Sequence, residues 1–263
     1  MRLRRSFVLS TLAAAAQLAL VAAQAAGVPG QGSWETTLLP RDINGDGTVD
    51  AFYDKVLNVS WLANANAAVG SVYVAPWAVG TEYDGVMNWA NAKAFAAGLD
   101  VYGTTGWRLP TMIDTGVSGC DESYTGGTDC GLNVQTISQD GQTVFSEMAH
   151  LYYVSLGNKA YCTPNASCTP PQPGWGLTNT GGFRNMQALI YWTSVAYAPY
   201  PADDAWYFGT VDGSQGYYPQ SQEIFALAVR PGDVTAAVPE PHINALLLLG
   251  LAGVVAAARR RSS

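Results

Sequence analysis

An apolar run flanked by arginines stands at each end of this chain, and the pair limits how much of it can fold as one body. Arg2, Arg4 and Arg5 precede a stretch from Phe7 to Ala23 broken only by Ser, Thr and Gln, and Ala23-Gln24-Ala25 follows. A basic start, an apolar middle and small residues at an A-x-A site form the grammar of a secretory signal peptide, so residues 1–25 are excluded from the fold. At the other end Val238-Pro239-Glu240-Pro241 leads into an apolar run from Ile243 to Ala258, interrupted by Asn244, and then Arg259-Arg260-Arg261. Sixteen helical residues reach roughly 24 Å, short of the ~30 Å hydrocarbon core. The arginine cluster weights the reading toward a short transmembrane helix, because it stays cytoplasmic and leaves everything before it outside.

The charge balance changes once these ends are set aside. The whole chain of 263 residues carries a formal charge of −7, but six of its thirteen basic residues lie in the terminal segments with only one acid, Glu240. The middle holds 7 basic and 19 acidic residues, a surface that repels phosphate backbones and argues against nucleic-acid binding. Charged residues make up 13% of the chain, with 28 Gly and 22 Trp plus Tyr, which excludes a disordered chain and a coiled coil.

The box Pro239, Glu240, Pro241, the short apolar helix and the basic end together resemble the PEP-CTERM sorting signal of Gram-negative bacteria. The resemblance implies recognition by an exosortase in the inner membrane, removal of the tail, and export coupled to exopolysaccharide production. It places a sorting tail at 234–263, with the membrane met only through that tail before processing, and a mature protein at the cell surface or in the extracellular matrix.

Gly and Pro punctuate the middle every few residues, which favours short strands and many loops. Trp89, Ala92, Ala96 and Leu99 recur at helical spacing after Asp84-Gly85, and Phe145, Met148, Ala149, Tyr152 and Leu156 form the clearest amphipathic stripe, ending at Gly157-Asn158. Strand candidates are 56–62, 188–194, 205–210 and 225–230. Helices followed by clustered late strands indicate an α+β fold. The blocks Gly106-Trp107-Arg108-Leu109-Pro110-Thr111, Tyr191-Trp192-Thr193-Ser194 and Ala228-Val229-Arg230, in this order, resemble the Lcl C-terminal domain, a family of largely unknown function similar to C-type-lectin-like folds. The resemblance spans 50–233. It implies two helices packed on a small twisted antiparallel sheet with long loops, and makes Trp107, Arg108, Trp192 and Trp206 framework residues. A buried Arg108 needs a carboxylate or carbonyl partner.

Within the remaining segment, 26–49, Asp42, Asn44, Asp46, Thr48 and Asp50 follow the first nine positions of a calcium loop, with Gly47 at the turn. Position 12 is Tyr53 where a bidentate acid is expected, and Asp54 substitutes only if the loop bulges. An Asn/Asp/Gly turn without metal is the alternative. Cys120, Cys130, Cys162 and Cys168 all fall in the exported part and read as two disulfides, with the local pairs 120–130 and 162–168 favoured. A zinc site is disfavoured by the absence of C-x-x-C. Catalytic motifs are lacking: there is no G-x-S-x-G, and His150 lies off the apolar face of its helix and reads as a solvated surface residue. Tyr197, Tyr200, Tyr217 and Tyr218 fall in loop-like stretches and offer rings suited to stacking on sugars. The expectation is therefore a non-catalytic adhesion module binding exopolysaccharide or another glycan. The alternatives are a ligand-free matrix protein stiffened by calcium and disulfides, and a secreted hydrolase using acidic residues.

Overall fold

The computed structural model describes residues 27–116, 118, 129–134, 146–164 and 168–234. The signal segment, Cys120, Phe145 and the sorting residues Pro239, Glu240 and Pro241 lie outside them. In chain order the elements are α1 (Trp34–Thr37), β1 (Leu38–Arg41), β2 (Ala51–Asp54), β3 (Val59–Leu62), α2 (Trp89–Gly98), β4 (Gly131–Leu132) and α3 (Glu147–Ala149). After α3, which runs on as a π-helical turn (His150–Ser155), come β5 (Ile190–Ala196), β6 (Asp204–Gly209), β7 (Ser214–Pro219) and β8 (Val229–Pro231). The described residues form a mixed fold of few helices and two four-stranded antiparallel sheets, ordered β1-β2-β3-β8 and β4-β7-β6-β5. The one small sheet expected from the sequence is thus two. Aromatic and β-branched residues place the late strands, whereas β1 and β2 flank the acidic stretch 42–50 and carry little alternating pattern. The division at residue 50 falls inside the first sheet, where Arg41 pairs with Ala51.

Residues 224–229 join the two sheets. Phe225 exchanges backbone hydrogen bonds with Ile190 and Trp192 on β5, and Val229 does so with Arg108 while pairing Trp61 on β3. The interior around this seam is filled by Trp61, Trp192, Tyr191, Phe208 and Phe225, all essentially inaccessible to solvent. Burial of side chains of this size supplies the main favourable contribution to folding. An irregularity on β5 between Trp192 and Ala196 turns its backbone outward from the ladder, where Thr193 O accepts from the Trp89 indole of α2 at 2.8 Å and the Ser194 amide donates to Pro110 O.

The framework reading of the G-W-R-L-P-T block is matched by contacts. Trp107 is buried, and the Arg108 guanidinium meets Glu147 in a two-pronged pair, Nη1–Oε2 at 2.8 Å and Nη2–Oε1 at 2.7 Å. Glu147 Oε2 also accepts from the Thr111 amide, so one carboxylate holds the start of α3 against this block. α2 begins at Trp89, later than Asp84-Gly85 would have it, because Asn88 supplies the cap by accepting from the Asn91 amide. β3 begins at Val59, since residues 55–58 turn, with Asn58 at φ 52°.

His150 is not on the surface: its residue exposure is 1%. From Glu147 to Tyr152 every side chain is buried, so the face that carries His150 is not left to solvent, and exposure begins only at Tyr153 and Val154. Part of the cover is the N-terminal segment, where the Ser33 amide donates to Val154 O and Ser155 O. Gly32 and Gly157 touch backbone to backbone there, and a Cβ on either would collide with the other.

Candidate functional site

Between β3 and α2 the chain makes a long irregular excursion, 63–87, held by short polar contacts rather than by a ladder. Ala65 N–H donates to Arg184 O and Arg184 N–H to Ala63 O, which lays residues 63–66 beside 184–187. Asn64 Oδ1 accepts from the Asn66 amide and from Asn185 Nδ2 at 2.9 Å. Asn66 Nδ2 donates to Asp84 O, folding the far end of the excursion back onto its start. Asp84 Oδ2 accepts from the Gly80 amide and shapes the loop that carries Thr81, Glu82 and Tyr83. Gly85, at φ 112°, is required here, because a Cβ would occupy the position of Asn66 Oδ1.

These segments enclose a cleft of about 530 Å³ lined by Asn64, Asn66, Ala67, Val69, Thr81, Glu82, Asp84, Asn185 and Gln187. It is predominantly polar. Asn66 is 7% exposed and its Oδ1 has no hydrogen-bond partner, and the same is true of Asp84 Oδ1. A second cleft, of about 300 Å³, shares Asn64 and Ala67 with the first and is lined also by Asp50, Asp100, Tyr102 and Arg184. Both volumes fall in the range of small-molecule sites, about 300–1,000 Å³. Among the described residues Arg184 is the one cation lining either cleft; it lines the second, and its Nη1 donates to Val49 O at 2.7 Å. Beside the first cleft stand Trp77, 57% exposed, and Tyr83, with ring centroids 6.0 Å apart; the Trp77 indole donates to Glu223 Oε2.

The sequence-nominated residues distribute as follows. The loop from Asp42 to Asp50 joins β1 to β2, and Asp42 accepts from the amides of Gly45, Asp46 and Gly47. Asn44 Nδ2 donates to Asp46 Oδ2, and this bond, with those from Thr48, holds the Asp46 carboxyl below its ordinary pKa. Asp50 Oδ2 turns to the Ile43 amide. Tyr53 lies in β2 with its hydroxyl on Asn58, and Asp54 is turned inward, accepting from Val56 and Leu57, so neither completes the loop. Among the described residues no group of three or more His, Cys, Asp or Glu side chains is gathered to hold a metal ion. Cys162 and Cys168 are disulfide-bonded to each other, and Cys130 is disulfide-bonded and buried. Of the four nominated tyrosines, Tyr200 and Tyr218 are exposed, while Tyr197 is buried and stacks on Tyr217 at 3.7 Å. Apart from Asp50, nominated for the calcium loop, the cleft residues and Trp77 carry no motif in the sequence. The signal available was weak: an aperiodic stretch with an aromatic residue between Pro76 and Gly80.

In the core, His150 keeps both ring nitrogens without partners, as do Asp54 Oδ2 and Ser155 Oγ with theirs. Desolvation pushes the His150 pKa down, against a smaller upward pull from the Asp54 charge.

Residues 237–262 match the PEP-CTERM protein-sorting motif. This match establishes the C-terminal address: the motif implies processing by an exosortase and export, through a membrane-anchored intermediate, to the cell surface. No curated protein and no solved structure matches the chain. Among the described residues no helix is long and apolar enough to cross a membrane.

Proposed function

We propose that the exported protein is a non-catalytic glycan-binding module of the surface or exopolysaccharide matrix of a Gram-negative bacterium, built on a C-type-lectin-like domain of the Lcl type. The observation that carries this reading is the pair of joined clefts, rich in amide and carboxylate groups, next to the exposed Trp77–Tyr83 pair. Amides and carboxylates suit the hydroxyls of a sugar, and an aromatic face suits its apolar C–H side. The 42–50 loop is proposed to take calcium through Asp42, Asn44, Asp46, the Thr48 carbonyl and Asp50, as a stabiliser rather than as part of the cleft.

A glycan array read with and without calcium, on the parent protein and on Trp77→Ala, tests the reading. Binding to a defined set of glycans, lost in Trp77→Ala, supports it. No binding to any glycan overturns it in favour of a ligand-free matrix protein, and turnover of a bound glycan overturns its non-catalytic part. For the loop, millimolar calcium is expected to raise the melting temperature and Asp46→Ala to abolish the rise; the absence of a rise in the parent protein refutes the calcium assignment.

A further inference from the structure

Taking the glycan-binding reading as its basis, we infer that the joined clefts accept neutral or amino-bearing saccharides of two or more residues and reject uronate- and sulfate-bearing chains. The clefts are oversupplied with hydrogen-bond acceptors. Four carboxylates, those of Asp50, Glu82, Asp84 and Asp100, line them against one guanidinium, that of Arg184, which already donates to Val49 O. Asn66 and Asp84 both line the first cleft, and their Oδ1 atoms, turned away from solvent, have no hydrogen-bond donor within the fold. Sugar hydroxyls can donate; an ammonium donates three times and also neutralises charge. A uronate or sulfate brings further acceptors and a like charge into a site where four carboxylates outnumber one guanidinium.

The aromatic pair points the same way. The faces of Trp77 and Tyr83 carry negative potential, which attracts a cationic amino sugar and tolerates a neutral one. Length follows from the shared wall: Asn64 and Ala67 belong to both clefts, so a ligand seated in the first is led past them toward Asp100 and Tyr102. Tyr102 stands 61% exposed on a left-handed turn, φ 51°, at the far margin.

The test is a titration of the full-length protein with three saccharide series of one to six residues: glucosamine oligomers, their N-acetylated forms, and galacturonate oligomers. Glucosamine and N-acetylglucosamine oligomers are expected to bind at least about 10-fold tighter than galacturonates of equal length, with affinity rising beyond the monomer. The double variant Glu82→Gln, Asp84→Asn is expected to lose most of the preference for glucosamine over galacturonate while still binding the N-acetylated series. Galacturonate binding as tight as the others, abolished by Trp77→Ala, overturns the charge preference and leaves the glycan-binding reading standing. A preference that survives unchanged in the double variant also overturns the inference, because the net negative surface rather than the cleft would then set it. Failure of all three series to bind overturns the inference together with its basis.

Discussion

Two aromatic clusters of nearly the same composition meet opposite fates in this molecule. Tyr197, Trp206 and Tyr217 gather at one end of the second sheet, where Trp206 and Tyr197 are fully buried and the Trp206 indole donates to Asp114 Oδ2 at 2.7 Å. Trp77 and Tyr83 gather on the 63–87 excursion and remain in solvent. The difference lies in what surrounds them. Met112, Cys130 and Val195 close over the first cluster, so its rings are a small satellite core. The second has no such cover, with Trp77 57% and Tyr83 41% exposed. The carboxylates divide in the same way: Glu147 is answered by Arg108, whereas Glu82 and Asp84 line a cleft that has no cation among its described lining residues. One set of aromatic and acidic residues is closed into the fold; its counterpart stays at the surface.

The sharpest way to break this contrast is to truncate the two tryptophans. Trp206→Ala is expected to cost about 3–5 kcal/mol, since it empties a fully buried site and leaves Asp114 without its indole donor, and denaturant unfolding reads the loss. Trp77→Ala is expected to change stability by less than about 0.5 kcal/mol, as an exposed ring with one side-chain hydrogen bond. Equal losses for the two would erase the distinction. For the carboxylates, Glu147→Ala is expected to cost about 1.5–3 kcal/mol by stripping Arg108 and the Thr111 amide of their acceptor, while Glu82→Gln leaves the melting temperature where it was.

The smallest effect concerns the buried imidazole. The folded state holds the His150 pKa below its unfolded value of about 6.5, so the unfolded chain takes up the proton first as pH falls. The stability that this group contributes is therefore complete above about pH 6.5 and declines as pH drops through the folded value. Melting curves between pH 7.5 and 5.5 should show the decline, and His150→Phe should flatten it; an unchanged slope in the variant assigns the acid sensitivity to other groups.

How far the sequence revealed these features depends on whether the signal was local. The two addresses are contiguous grammar and are readable from order alone. The late strands were visible because Tyr191-Trp192 and Ala205-Trp206 repeat buried types at short spacing. Cys162 and Cys168 sit six residues apart and could be paired on proximity. The clefts, by contrast, are assembled from 50, 64–67, 81–84, 99–102 and 184–187, segments that no periodicity links. Tyr217 looked like a loop aromatic because Gly216 and Pro219 flank it, yet both belong to β7, where Gly216 faces the Tyr207 ring and leaves room for it. His150 shows why a helical wheel fails here: it assumes a solvent side, and this imidazole is buried near Asp54 of β2.

The direction of β3 fixes how the protein is presented. Val234, whose amide donates to Ser60 Oγ, is where the described chain leaves the first sheet, beside the start of β3. Leu62 and Asn64, at the finish of that strand and just beyond it, border the clefts. The strand separates the two by roughly 10 Å at about 3.3 Å per residue. The sorting tail therefore continues from one end of β3, while the clefts open at the other.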